Sequence, residues 1–379
     1  MKKSDLKSRD KVAREKRQWV RITKACNNRC LFCLDRESQD GRLVPAKEII
    51  NILKKGISEG ATRAIISGGE PTLHPHIAKI IKEAKKMGYK HVQIISNGRM
   101  LAYDKFTEEL KKAGLDEVTL SLHSHLEKQM EEMTGVKGSY KQAIRGLMNS
   151  LRHNFIVSID VVINKINYKT LKSTLEFFIK LGVYEFDLLY LVPFGSAWKN
   201  KSKLFLSPLK AKKYLDQAFN LSFNKDLHIW TNRLPAIFLE GYEHLIQNPN
   251  KLKDDIGGMA KELKNYIIDG KMMSCHGERC RYCFKQNFCL DFIELKKTGY
   301  LRSKTDPICL KTKKTKEKLI KFNKNLDIYK FLDFYIKNRY FVKSLRCANC
   351  MHNSACQGVQ IDEIRKKSFK ILVSRKKRT

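Results

Sequence analysis

From residue 18 to about residue 193 the chain alternates short runs rich in β-branched and aromatic residues with longer stretches of helical periodicity. That alternation confines it to parallel strands joined by helical crossovers. Strands are expected at 19–25, 62–67, 91–96, 117–122, 156–164 and 185–192, and helices near 45–58, 76–87, 105–113, 138–153 and 169–181. The first helix opens behind Pro45 and gathers Ile49, Ile50, Leu53 and Ile57 on one face, with Lys54 and Lys55 turned away. Six such units are two short of a closed eight-stranded barrel. The expected fold class is therefore α/β: a partial (β/α)6 TIM-like barrel with active groups at the C-terminal ends of its strands, followed by a smaller cysteine-rich C-terminal domain.

Beyond Pro193 the alternation stops; 207–223 and 235–247 read as helical, and cysteines take over from position 275. These shifts divide the chain into a basic N-terminal extension over 1–17, a core domain over 18–230, a cysteine-rich domain over 231–364 and a basic tail over 365–379. No apolar run approaches the ~18 residues that a membrane span needs. The charged N-terminus has no apolar segment behind it, so no secretory signal is expected either. Eleven cysteines, odd in number and tightly clustered, fit metal ligation in a reducing cytoplasm better than extracellular disulfides.

The formal charge is +36, from 75 Lys and Arg against 39 Asp and Glu. Residues 1–24 carry ten basic and three acidic groups, 311–325 seven and one, and 365–379 eight and none. Lysine bias alone would bring glutamate with it, so the excess makes RNA or another polyanion a candidate partner.

The chemistry concentrates in Cys26-Asn27-Asn28-Arg29-Cys30-Leu31-Phe32-Cys33, directly after the first strand. A closed zinc site or iron–sulfur cluster takes four protein ligands, whereas a centre with three leaves one position open for a reactant. The second strand runs into Ser67-Gly68-Gly69-Glu70-Pro71, where paired glycines let backbone approach a ligand. The third ends in Ser96-Asn97-Gly98, and the fourth contains Thr119-Leu120-Ser121-Leu122-His123. Taken singly, a Gly-Gly pair or an Asn-Gly is a turn; in this order, at consecutive strand ends, they point to one site.

Together these residues resemble the signature of the radical S-adenosylmethionine (SAM) superfamily. The resemblance implies that Cys26, Cys30 and Cys33 hold a 4Fe-4S cluster whose fourth iron takes SAM. It also implies that Gly68, Gly69, Glu70 and Pro71 meet the SAM amino group. Asn97 and Ser121 would serve the ribose or methionine carboxylate, and the main chain at Phe32 the adenine. Electron transfer into the sulfonium would release methionine and a 5′-deoxyadenosyl radical, the electron coming from a donor such as flavodoxin or ferredoxin.

The C-terminal cysteines repeat a spacing: Cys280-x2-Cys283-x5-Cys289 and Cys347-x2-Cys350-x5-Cys356. With Cys275 and Cys309 they supply two sets of four, enough to close two centres. The spacing resembles part of the SPASM extension of radical SAM enzymes, which implies one or two auxiliary iron–sulfur clusters. The sequence departs from that pattern at Gln360, where a further cysteine would stand. Zinc is the alternative, with His276 or His352 as spare ligands. Cys309 as a hydrogen donor to a substrate radical is another. His74, His123 and His125 are expected to be satisfied by hydrogen bonds, and Tyr190, Phe194 and Trp198 mostly to pack in the core.

By analogy with SPASM-type enzymes the substrate is expected to be a peptide or protein. Charge favours RNA modification as the alternative, and a non-catalytic, zinc-stapled nucleic-acid-binding protein is the third reading.

Overall fold

The computed structural model describes residues 15–305, 309 and 317–372. Most of the basic extension at 1–17, the start of the basic run at 311–325 and the end of the tail at 365–379 therefore lie outside the described residues. The chain divides into two compact units, one ending at Asn232 and the other starting at Arg233.

In the first unit seven strands form one sheet in chain order, every neighbouring pair parallel. They are β1 (Arg17–Thr23), β2 (Arg63–Gly68), β3 (His91–Ser96), β4 (Glu117–Ser121), β5 (Ile156–Ile163), β6 (Glu185–Tyr190) and β7 (His228–Asn232). Between them run α1 (Ala46–Ser58), α2 (Ile77–Lys86), α3 (Asp104–Lys112), α4 (Glu127–Thr134), α5 (Ser139–Arg152), α6 (Leu171–Lys180) and, after two single-turn helices, α7 (Pro208–Phe219). This is the expected TIM-like α/β fold with one strand more than the six expected. β7 buries a single apolar side chain, Ile229, with Thr231 at the next position on that side, so no apolar period of two marks it. Helix α4 was also unexpected, because its buried apolar side chains are two methionines, Met130 and Met133.

One side of each strand is apolar and buried: Val20 and Ile22, Ala64 and Ile66, Val92 and Ile94, Val118 and Leu120, Ile159 and Val161, Phe186 and Leu188. The helices bury matching stripes, among them Ile49 and Leu53 of α1, Ile77, Ile80 and Ile81 of α2, and Leu171, Leu175 and Phe178 of α6. Each such side chain contributes about 1.5–3 kcal/mol by leaving water.

Polar residues stand at several of the alternate positions, and near the N-terminal ends of the strands they form a network around Glu117. Its carboxylate accepts from Arg63 Nη1 and His91 Nε2, both at 2.8 Å, from Gln93 Nε2 at 2.9 Å and from Ser158 Oγ at 3.2 Å. Four neighbouring strands are pinned together by one side chain.

In the second unit, buried side chains from residues 252–273, 288–301 and 320–336 form a single apolar core that includes Phe288, Phe292, Phe331 and Tyr335. The helix Ile328–Asn338 contributes Ile328, Phe331, Leu332, Tyr335 and Ile336 to that core. Arg339 ties it to the helix Gln286–Thr298 through two bonds to Asp291, at 2.7 and 2.8 Å. The expected helix at 235–247 is absent. Pro235 and Gly241, whose φ is +93°, break it into two 3-10 turns, Ala236–Leu239 and Glu243–Leu245.

Burial alone would raise the Glu117 carboxyl, but the bond from His91, the charge of Arg63 and the bond from Ser158 outweigh it and hold it low. A carboxyl depressed in the folded state stabilises above its unfolded pKa, and that contribution disappears as pH falls through the folded value. Glu117→Gln is expected to cost about 1–3 kcal/mol at neutral pH, and the gap from the parent should narrow below about pH 4 in urea denaturation. A gap independent of pH would mean that the charge of Glu117 does not hold the network.

Candidate functional site

The loop carrying Cys26, Cys30 and Cys33 leaves β1 at the C-terminal edge of the sheet. The Cys33 N–H donates to the Cys30 carbonyl at 3.1 Å, closing the x2 turn. Partners from four distant places hold the rest. After β2, the N–H groups of Gly69 and Glu70 donate to the carbonyls of Thr23 and Ala25 at 2.8 and 2.7 Å. At the end of α4, the carbonyls of Thr134 and Met133 accept from Arg29 and Leu31 at 2.8 and 2.9 Å. After β3, Asn97 Nδ2 donates to Asn27 Oδ1 at 2.7 Å, and Arg99 reaches Asn27 and Asn28. After β6, the Ser196 N–H donates to the Cys33 carbonyl at 2.9 Å, and Asn200 Nδ2 to the Leu31 carbonyl at 3.1 Å.

Two glycines make these approaches possible. A Cβ on Gly69 would stand 2.1 Å from the Ala25 oxygen, and one on Gly195, where φ is +53°, would stand 2.5 Å from the Cys33 oxygen. No side chain fits at either point.

All eleven thiols are free of disulfides. Burial raises the thiols of the loop, and at Cys30 the neighbouring Cys26 and Cys33 raise it further. At Cys26 burial is opposed by the Asn28 N–H, 3.4 Å from the sulfur, and by the Arg99 charge. Thiols crowded in this way resist ionising beside one another, and a bound cation removes the conflict by taking all of them as thiolates. Among the described residues no three His, Cys, Asp or Glu side chains stand in an array that would itself hold a metal ion. The fit of the loop to a cluster thus lies in its donor chemistry: three free, mutually repelling thiols on one short turn.

Gly68-Gly69-Glu70-Pro71 forms the shelf beside this loop. Glu70 is buried, and its carboxylate accepts from Thr72 N at 3.1 Å, Thr72 Oγ1 at 2.5 Å, Ser96 Oγ at 2.8 Å and Asn97 N at 2.7 Å. Burial raises this carboxyl against the pull of those donors. Glu70 thereby fastens the end of β2 to the end of β3. Asn97 is buried, with its carboxamide bonded to Asn27 and to the Arg99 N–H, while Ser121 is half-buried at the end of β4, beside Asp160 of β5. The Phe32 ring meets His123 edge to face at 4.7 Å.

In the second unit the thiols of each set of four lie within electrostatic reach of one another. Cys289 is raised to about 12 by burial and then by Cys283, Cys275 and Cys280. Cys347 is raised by burial, and Cys356, Cys309 and Cys350 act on it in the same direction. The repeated spacing also folds repeatedly. Each x2 turn is a five-residue 3-10 helix, Glu278–Tyr282 or Leu345–Asn349, followed by an extended cysteine, Cys283 or Cys350. Each third cysteine then donates its N–H four residues back, Cys289 to Lys285 and Cys356 to His352. Gln360, at the point of departure from the SPASM pattern, caps the helix Ile361–Lys367 by accepting from Asp362 N at 2.6 Å.

His74 is satisfied at both ring nitrogens, by the Val44 carbonyl and the His76 N–H, and buried His123 accepts from the Val162 N–H and is pushed down to about 4 by burial. Both are structural, as expected, and Tyr190 is buried. Sequence reasoning did not find Arg99, Gly195 or the end of α4. A glycine following Phe194 and an arginine following Asn97-Gly98 are the only local signals.

Residues 20–178 match the family model described as Radical SAM superfamily. A probable GTP 3′,8-cyclase of Sulfurisphaera tokodaii is 36% identical over 184 residues, 46% of this chain and 56% of that protein. Another, of Saccharolobus solfataricus, is 30% identical over 178 residues, 46% of this chain and 57% of that one. The chain thus spans little more than half the length of these curated relatives. The crystal structure of Streptococcus suis SuiB bound to S-adenosylmethionine has the same fold, with a TM-score of 0.51 and 17% identity over 94% of this chain and 75% of that one. The family match sets aside the non-catalytic, zinc-stapled reading. With the match falling on the strands, shelf and three-thiol loop described above, residues 20–178 form a radical SAM domain, whose cofactors are S-adenosylmethionine and a 4Fe-4S cluster.

Proposed function

We propose that Cys26, Cys30 and Cys33 hold the cluster and that Gly68, Gly69, Glu70, Pro71, Asn97, Ser121 and the main chain of Phe32 hold SAM. When bound and reduced, that pair supplies a 5′-deoxyadenosyl radical, with release of methionine, to remove hydrogen from a substrate carbon. The chain's own work is placement. Glu70 has its oxygens occupied by Thr72, Ser96 and Asn97, so it shapes the shelf, and the main chain at Gly68 and Gly69 meets the amino group. Asn97 keeps one amide proton and one lone pair for a ligand beyond its bonds to Asn27 and Arg99. The observation that carries this reading is the three-thiol loop held against that shelf by the Gly69 and Glu70 N–H groups.

The substrate reading favoured by the relatives' names is a purine nucleoside triphosphate such as GTP, and a net charge of +36 suits it. The names lend no support to the expected peptide or protein. That second reading rests on the eight thiols beyond Arg233, outside the family model's residues. RNA stands third, on charge alone. We assign Cys275, Cys280, Cys283 and Cys289 to one auxiliary centre and Cys309, Cys347, Cys350 and Cys356 to another, each iron–sulfur or zinc. A flavodoxin or ferredoxin is the electron donor we propose. Among the described residues no helix is long and apolar enough to cross a membrane, and eleven free thiols suit the cytoplasm.

Anaerobic reconstitution with iron and sulfide counting is expected to give about twelve irons per chain for three cubane clusters; about four would leave the C-terminal thiols to zinc. Replacing Cys26, Cys30 and Cys33 together by alanine should abolish 5′-deoxyadenosine formation and spare the C-terminal metal. If that variant still makes 5′-deoxyadenosine, the assignment of the loop is wrong. Stimulation of 5′-deoxyadenosine formation by GTP, by peptides or by RNA in the parent enzyme separates the three substrate readings.

Gly69→Ala places a Cβ where the Ala25 carbonyl stands. It is expected to lower SAM affinity at least tenfold, measured by equilibrium dialysis, while iron in the C-terminal centres is unchanged. Unaltered SAM binding would remove Gly69 from the site.

A further inference from the structure

Arg99 follows the Asn97-Gly98 turn at the end of β3, and three sets of contacts fix it there. Its Nε donates to Gln142 Oε1 of α5 at 2.7 Å. Its Nη1 donates to Asn28 Oδ1 at 3.1 Å and to the Asn27 carbonyl. Its own N–H donates to Asn97 Oδ1 at 3.1 Å, and Asn97 Nδ2 returns to Asn27 Oδ1 at 2.7 Å. The turn lies close against α5, where a Cβ on Gly146 would stand 2.0 Å from the Gly98 carbonyl oxygen. A guanidinium anchored at one edge by Gln142 presents its other edge in one direction only. That direction is the segment between Cys26 and Cys30.

We infer that Arg99 is the positioning residue of the cluster loop, fixing the backbone that follows Cys26 and laying a permanent positive charge beside its sulfur. The inference rests on Cys26, Cys30 and Cys33 being the cluster ligands. The backbone of Asn27 and Asn28 has no strand or helix of its own, so its order comes from partners such as this one. Charge-assisted bonds of this kind are stronger than neutral ones. A positive charge next to a ligand sulfur also favours the electron-richer state of the cluster, since the added electron is attracted to it. Lysine in this place would keep the charge and lose the fork.

The test uses the full chain as Arg99→Gln, Arg99→Lys and Gln142→Leu. Amide hydrogen exchange in the metal-free protein reads the loop without any cluster, so failure of this inference is distinguishable from failure of the ligand assignment, which would appear as 5′-deoxyadenosine formation surviving the replacement of Cys26, Cys30 and Cys33. Arg99→Gln is expected to speed exchange over residues 26–33 about tenfold or more, with β3, β4 and β5 unchanged. After reconstitution its cluster should show a more negative midpoint potential and an altered electron paramagnetic resonance signal on adding SAM. Arg99→Lys should also loosen the loop but hold the potential near that of the parent. Should Arg99→Gln fail to fold, Gln142→Leu must still produce a gain in exchange confined to the loop. Exchange over 26–33 equal to the parent's in the folded variants, or raised equally across the sheet, overturns the inference.

Discussion

The contact on which this site depends is between two stretches of backbone: the Gly69 and Glu70 N–H groups on the carbonyls of Thr23 and Ala25. The loop from Ala25 to Cys33 carries no strand and no helix, and a peptide chain without regular structure must find its hydrogen-bond partners elsewhere or forfeit free energy for each buried group left alone. β1 and β2 are register neighbours up to Thr23 and Gly68. The parallel pairing therefore delivers the start of the loop and the shelf to the same place, and the absence of side chains at Gly68 and Gly69 lets them touch. A site made from adjacent strand ends inherits the rigidity of the sheet.

The two ends of the strands divide the labour. At the N-terminal ends, Glu117 gathers Arg63, His91, Gln93 and Ser158 into a satisfied polar layer that locks neighbouring strands in register. At the C-terminal ends, Glu70 does similar work between β2 and β3, but its donors are the hydroxyls of Thr72 and Ser96 and the backbone of Thr72 and Asn97. The first carboxyl is held low by charge and hydrogen bonds, and the second is raised by burial with no cation in contact.

What could be read from the sequence was what local patterns carry. Six strands, five helices and the run of motifs at strand ends follow from periods of two and 3.6 and from glycine chemistry. β7 and α4 escaped because a strand that buries one apolar residue, Ile229, or a helix whose buried apolar members are Met130 and Met133, does not generate a clear period. The helix expected at 235–247 failed on Pro235 and Gly241, and its acidic residues serve another purpose. Glu240 accepts from Ser344 Oγ and the Leu345 N–H, setting the turn that precedes Cys347. Contacts of that separation leave no trace in a single sequence, and the same is true of Arg99 and Gly195. Ligand types were legible; the groups that hold them in place were not.

The two C-terminal cysteine groups show why equal spacing does not make equal centres. Their turns are the same 3-10 geometry, closed by the same pair of backbone bonds. Their surroundings differ. Cys275 and Cys289 pack against the apolar core beside Phe284, whereas the turn at Cys347 is set by Ser344, Glu240 and Arg346, and the Cys356 sulfur accepts from the Gly358 N–H at 3.3 Å. One spacing, copied within a chain, thus folds alike in two settings that the neighbouring side chains make different.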